Sequence, residues 1–328
     1  MESRKQKTIG VVIAIISLAF LASIFLFSAK ASPTGAVVAG KLQKIRVAVN
    51  PVLVAGLPVY LADEKGFWKE EGLDVEVLNV GTGPLQLQAV SAGAADFAGT
   101  VAEYPLVFAQ VKETSLRFLT VYEKDPYFVV ARKSSGISSL EDLKGKKIGV
   151  RPQTTGDYYF RLLMSKRGWN ESDFTLVSIE PKLFLEALSG RNIDAFVWLM
   201  PHPIFAERAF GDDAIVFEGS ALYKEFIGMI GRKDFLEKNP EVGKKLVAGL
   251  KKAIEWMKEN PVELFKFVEK KLGLSREEAE YAFKYAKFGI NATGLVEAFN
   301  AESVFAAAQG LIPEFRNKTA DEIIWGGK

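Results

Sequence analysis

The chain contains no cysteine. That excludes disulfides, cysteine-ligated metals, a thiol nucleophile and a lipid-modified N-terminal cysteine. It contains one histidine, His202, which excludes any two-histidine metal site. No metal site, cofactor or catalytic residue is assigned, because no Ser-His-Asp set is readable either. Excess charge is also lacking: 42 Lys and Arg face 40 Asp and Glu, a net +2. With no basic stripe, a nucleic-acid partner has no support.

What is present fits a globular protein of 328 residues, long enough for two domains around a large core. At the N-terminus Arg4, Lys5 and Lys7 precede an uncharged run from Ile9 to Phe27. As a helix it would span roughly 28 Å, enough for a bilayer core. The length fits an uncleaved anchor. Ala29-Lys30-Ala31 offers the alternative of signal-peptide cleavage. Either way the basic flank stays inside and the rest is expected on the outer face of the cytoplasmic membrane. Three N-x-S/T sequons, at Asn170, Asn291 and Asn317, are compatible with that location. Ser32 to Gly40 reads as a tether, and only eight residues precede the apolar run, too few for a cytoplasmic signalling domain.

From Lys44 the pattern is α/β. Short β-rich runs at Ile45–Val49, Asp74–Leu78, Asp96–Gly99 and Leu116–Tyr122 alternate with helical stretches, which argues for parallel sheets. The order then recurs: Lys147–Val150, a helix from Thr155 to near Gly168, Thr175–Ile179, a helix opened by Pro181, and Asp194–Trp198. One phrase recurs almost literally. LQAVSAGAADFAGT, residues 87–100, returns as LEALSGRNIDAFVW, residues 185–198, a shift of 98 (185 − 87). Two related lobes are therefore expected, with residues 1–31 as signal or anchor, 32–43 as tether, 44–131 as lobe 1, 132–225 as lobe 2, and 226–328 as the return to lobe 1 with a helical tail. Tyr127–Ala131 and Phe226–Ile230 read as the two crossings.

Ligands of open parallel sheets bind beyond the carboxyl ends of the strands, so paired lobes place the site in paired loops. Residues 50–56 face 151–157, residues 81–83 face 180–182, and residues 100–105 face 198–203. Several of these loops open helices, whose free N–H groups favour an anion. Thr82, Thr100, Thr154 and Thr155 either add hydroxyls to the site or cap their own helices. Trp198 covers the ligand or belongs to the core. Glu103 meets an amine or hydroxyl, or is a solvated loop residue. His202, between Pro201 and Pro203, and Tyr127, at the first crossing, are each ligand contacts or structural residues.

The stretches VYLADEKGFWKEEGLDVEV, LQAVSAGAADFAGT, ISSLEDLKGKKIGV and NIDAFVWLMPHP resemble the solute-binding proteins of ABC importers in the SsuA/THI5-like group, which serves sulfonates, nitrate, taurine and thiamine precursors. The resemblance runs over residues 44–325. It implies a two-lobed venus-flytrap fold of the periplasmic-binding-protein type II kind. The implied function is capture of a small anionic or zwitterionic solute for delivery to a permease with its ATPase. Carried over by position, it puts ligand loops at Asn50, Thr82-Gly83, Thr100 to Glu103, Thr154-Thr155 and Trp198. The family's middle loop usually has a Gly-Ser pair, where this chain reads Gln153-Thr154-Thr155-Gly156. A binder of a thiamine-precursor pyrimidine, or a biosynthetic enzyme on the same fold, is the alternative. The pyrimidine-making enzymes of the group use a Cys-rich iron motif that a cysteine-free chain lacks.

Overall fold

The computed structural model describes residues 42–112 and 115–326. The basic flank, the apolar run and the Ala29–Ala31 motif lie outside those residues, as does most of the tether. Among the described residues no helix is long and apolar enough to cross a membrane.

Two sheets organise the chain. The first contains β1 (Gln43–Val49), β2 (Leu73–Asn79), β3 (Phe97–Val101), β4 (Leu116–Pro126), β10 (Lys224–Arg232) and β11 (Lys287–Phe288), in the order β11-β4-β10-β3-β1-β2. The second contains β5 (Phe128–Arg132), β6 (Lys147–Val150), β7 (Thr175–Ser178), β8 (Ala195–Trp198) and β9 (Ala214–Glu218), in the order β7-β6-β8-β5-β9. In each sheet three strands pair in parallel, β2-β1-β3 and β7-β6-β8. Beside each parallel trio lies an antiparallel strand, β10 next to β3 and β5 next to β8. The architecture is therefore α/β, with two lobes of matching topology.

The repeated phrase is a structural device. Asp96 accepts from the backbone N–H of Arg46 at 2.7 Å, and Asp194 from that of Lys147 at 2.9 Å. In each case the aspartate following a helix locks the next strand to the first strand of its lobe. The turn before it closes in the same way: Ala94 N donates to Ala89 O, and Asn192 N to Ala187 O. These groups would otherwise be unsatisfied backbone in a tight helix-to-strand turn.

Strand pairing moves the crossings. Phe128–Ala131, read from the sequence as the end of lobe 1, pairs wholly with β8 and β9. The chain thus leaves the first sheet at Tyr127 and returns between Glu218 and Lys224. Phe226–Ile230 is not a connector but the middle of β10, inserted between β3 and β4. The long tail helix Pro240–Glu259 packs on the first lobe, where Trp68 Nε1 donates to Leu246 O at 3.0 Å. The tail also touches the second lobe through the Arg208–Glu278 ion pair.

Candidate ligand-binding cleft

Between the two sheets lies a narrow cavity of about 30 Å³. Its walls come from the carboxyl ends of strands in both lobes. Asn50 follows β1, Thr82 and Gly83 follow β2, and Thr100 lies one residue before the end of β3. From the other lobe come Thr154 and Thr155 after β6 and Trp198 at the end of β8. Tyr127, at the first crossing, also lines it. Eight of the ten residues singled out from the sequence thus meet in one place. Leu53, Leu199 and Ile227 complete the apolar wall, and Glu225 is the single carboxylate among the lining residues, which include no Lys, Arg or His.

Two helices start at the cavity, Gly83–Ser91 and Thr155–Arg167. Their N-terminal residues Thr82 and Thr154 sit in extended conformation, yet neither side chain caps its helix. Thr154 Oγ1 instead donates to Arg151 O at 2.7 Å. Thr82 Oγ1 is buried without a partner among the described residues. Thr155 Oγ1 acts on Tyr127 and Glu225 but makes no hydrogen bond of ordinary geometry. Buried polar atoms are nearly always satisfied, so the Thr82 hydroxyl marks a position that a ligand can complete. Gly156 permits the close approach here: a Cβ on it would stand 3.2 Å from both the Trp198 and the Tyr127 ring.

Thr100 plays a different part. Its Oγ1 accepts from Asn50 N and from Gln86 Nε2, both at 2.8 Å. The fully buried Gln86 also donates to Gly81 O at 2.7 Å and accepts from Thr100 N at 3.1 Å. Gln86 and Thr100 together therefore tie three loops of the first lobe. Gln86 sits in LQLQ, inside a helix, and nothing in that pattern distinguishes it from a surface glutamine.

Trp198 is 3% exposed, and its Nε1–H has no partner among the described residues. Its ring meets Tyr127 edge-on at 6.2 Å and Phe184 at 5.8 Å. It is at once core and cavity wall. Tyr127 donates its hydroxyl to Glu225 Oε2 at 2.9 Å. Burial raises the Glu225 carboxyl well above its usual range. The nearby charges of Glu103 and Asp125 push the same way, against the bond from Tyr127.

Two expected site residues lie elsewhere. Glu103 does not line the cavity. It is fully buried, with Oε2 accepting from Phe226 N at 2.9 Å and Oε1 from the Tyr223 hydroxyl. Burial lifts its carboxyl to about 7. The first turn of its helix rotates the side chain away from the loops and toward β10, so it cannot meet a ligand amine. His202 stands behind Trp198, packed among Phe184, Phe196 and Phe205. Burial lowers it to about 4, against a hydrogen bond to the Pro181 backbone, and its Nδ1 has no partner among the described residues. It is a neutral core histidine that backs the tryptophan.

The profile of the NMT1/THI5 like family matches residues 55–264, a span that runs through both parallel trios from β2 onward. The chain belongs to the NMT1/THI5 like family. A Brucella abortus protein named only provisionally, as a binding protein, is 29% identical over 237 residues, 69% of this chain and 71% of that one. The 4-amino-5-hydroxymethyl-2-methylpyrimidine phosphate synthase THI11 of Saccharomyces cerevisiae is 25% identical over 226 residues, covering 64% and 65%. Among solved structures, the alkanesulfonate-binding protein SsuA from Xanthomonas axonopodis pv. citri, bound to MOPS, superposes with a TM-score of 0.75. It is 18% identical and covers 87% of this chain and 99% of the other. For this NMT1/THI5 like chain that likeness establishes the periplasmic-binding-protein fold.

Proposed function

We propose that this chain is the extracytoplasmic solute-binding subunit of an ABC import system and carries out no chemistry of its own. It captures a small polar solute, anionic or zwitterionic, in the interlobe cleft and presents it to a permease. The observation that carries this reading is the convergence on one cavity of polar atoms that have no partner among the described residues, Thr82 Oγ1 from one lobe and Trp198 Nε1 from the other. A solute bridging them binds the closed form better than the open one and shifts the population toward it. The helix starts at Gly83 and Thr155 suit an anionic or strongly accepting group without a paired cation. A sulfonate, a zwitterion such as taurine, and nitrate are candidates on that ground.

A second reading, capture of a pyrimidine, draws on the similarity to the yeast phosphate synthase and on the carboxylate of Glu225 in the wall. A thermal-shift screen of the purified protein against sulfonates, taurine, nitrate and aminopyrimidines tests both. One class should raise the melting temperature, and the solute should be recovered unchanged. No shift across the panel refutes solute capture of this kind, and recovery of a modified solute favours the enzyme. For location, we expect the N-terminal segment to deliver the protein outside the cytoplasmic membrane. Recovery of the full-length protein in the soluble cytoplasm would refute that, and an N-terminus mapped at Ser32 would mean cleavage rather than anchoring.

A further inference from the structure

Three carboxylates share one face of the first sheet beside the cleft. Glu123 and Asp125 alternate along β4 and so point the same way. The antiparallel register sets Glu225 of β10 directly opposite Asp125, and Ile227 opposite Glu123. Residues directly opposite across strands lie on one face, and Glu225 and Ile227 both line the cavity. All three acids are almost completely buried. Both carboxylate oxygens of Glu123 and of Asp125 lack a hydrogen-bond partner among the described residues. The lysine between them turns away, its ammonium over the Phe226 ring at 4.1 Å. Like charges directly opposite one another destabilise a strand pair, and buried carboxylates without a cation are costly. Of the three, Glu225 alone reaches the cavity. Trp198, which lines the same cavity, has an Nε1–H that can only donate and finds no acceptor among the described residues.

We propose that Glu225 reads an amino group on the bound solute, a cationic ammonium or the N–H edge of an aminated heterocycle, while Trp198 Nε1–H donates to an acceptor on the same molecule. This inference rests on the solute-binding reading above and narrows it: the solute combines an amino group with an accepting or anionic group. A plain alkanesulfonate or nitrate supplies nothing for Glu225. An aminoalkanesulfonate and an aminopyrimidine both do. Glu225 thus holds the role that its position on the return strand, rather than in the loops of the repeat, made invisible.

Two matched pairs of probes test it by calorimetry on the purified protein: taurine against ethanesulfonate, and 4-amino-2-methylpyrimidine against 2-methylpyrimidine. Within each pair only the amino group differs. The wild-type protein should prefer the amino member of one pair by about tenfold or more, the worth of a buried hydrogen bond to a charged group. The pair that shows the preference tells the two solute classes apart. Glu225→Gln, which keeps shape and the contact with Tyr127, should abolish the preference. Glu225→Asp, shorter by one methylene, should keep part of it. Equal affinity for both members of each pair, or a preference that survives in Glu225→Gln, overturns the role of Glu225 and leaves solute capture standing. Binding of none of the four probes overturns the proposal as well, while the broader solute panel judges the binding function separately. If Glu225→Gln fails to fold, the wild-type ratios decide.

Discussion

The environment of His202 makes a quantitative demand on stability. Its folded-state value of about 4 lies below the ordinary 6.5 because burial among Phe184, Phe196, Trp198 and Phe205 disfavours the cation. In the unfolded chain the same ring takes up a proton near 6.5. The neutral ring therefore contributes stability that is fully present above pH 6.5 and is lost as pH falls through 4. From these two values the loss is about 2 kcal/mol at pH 5 and about 3 kcal/mol at pH 4. His202→Phe removes the titration. The larger ring adds a pH-independent cost of about 1–3 kcal/mol in a packed core, so the readout is the shape of the profile and not its height. Urea denaturation of both proteins from pH 4 to pH 8 gives the difference directly. The gap between them should narrow, or reverse, on acidification below pH 6.5. Parallel profiles over that range would refute the placement of a neutral, desolvated imidazole behind Trp198.

Glu103 should act in the opposite direction. Its carboxyl, raised by burial, contributes stability below pH 4.5 that is lost as pH rises through about 7, and Glu103→Gln should weaken the pH dependence of the same denaturation profile in that window, the remainder belonging to Glu302, which shares the Tyr223 hydroxyl. If Glu103 were a cleft residue instead, Glu103→Gln would change ligand affinity and leave the pH profile alone. Gln86→Leu should destabilise the protein by about 2–4 kcal/mol in chemical denaturation, because it strands the Gly81 carbonyl and the Thr100 amide that its side chain satisfies; a loss under 1 kcal/mol, roughly one ordinary hydrogen bond, would mean that the loops are held otherwise. Small-angle scattering should give a larger radius of gyration without the solute than with it, since among the described residues the chain passes between the lobes at two places, Tyr127 and 219–223. An identical radius at saturation would argue against hinge closure.

Much of the fold was legible because it is written locally. The helix–turn–strand phrase of 87–100 and 185–198 encodes its own closure, since the aspartate, the preceding turn and the helix that precedes it lie within about ten residues of each other in both copies. The same holds for helix starts at Gly83 and Thr155 and for the strand-end loops that converge on the cleft, which is why eight of the ten candidate residues line one cavity. Periodicity and turn chemistry depend on near neighbours. The rest depended on register between strands far apart in the chain. That Phe128–Arg132 belongs to the second sheet follows from its pairing with β8 and β9, which lie more than sixty residues further on. Glu225 follows a lysine and reads as a solvated charge. Only insertion of β10 between β3 and β4 brings it opposite Asp125 and into the cleft. Glu103, in a cleft loop by sequence, is turned inward by partners more than a hundred residues away, Tyr223 and Phe226. Which side chains share a buried face is set when distant strands pair, because a shift of one residue would send every side chain of β10 to the other side of the sheet.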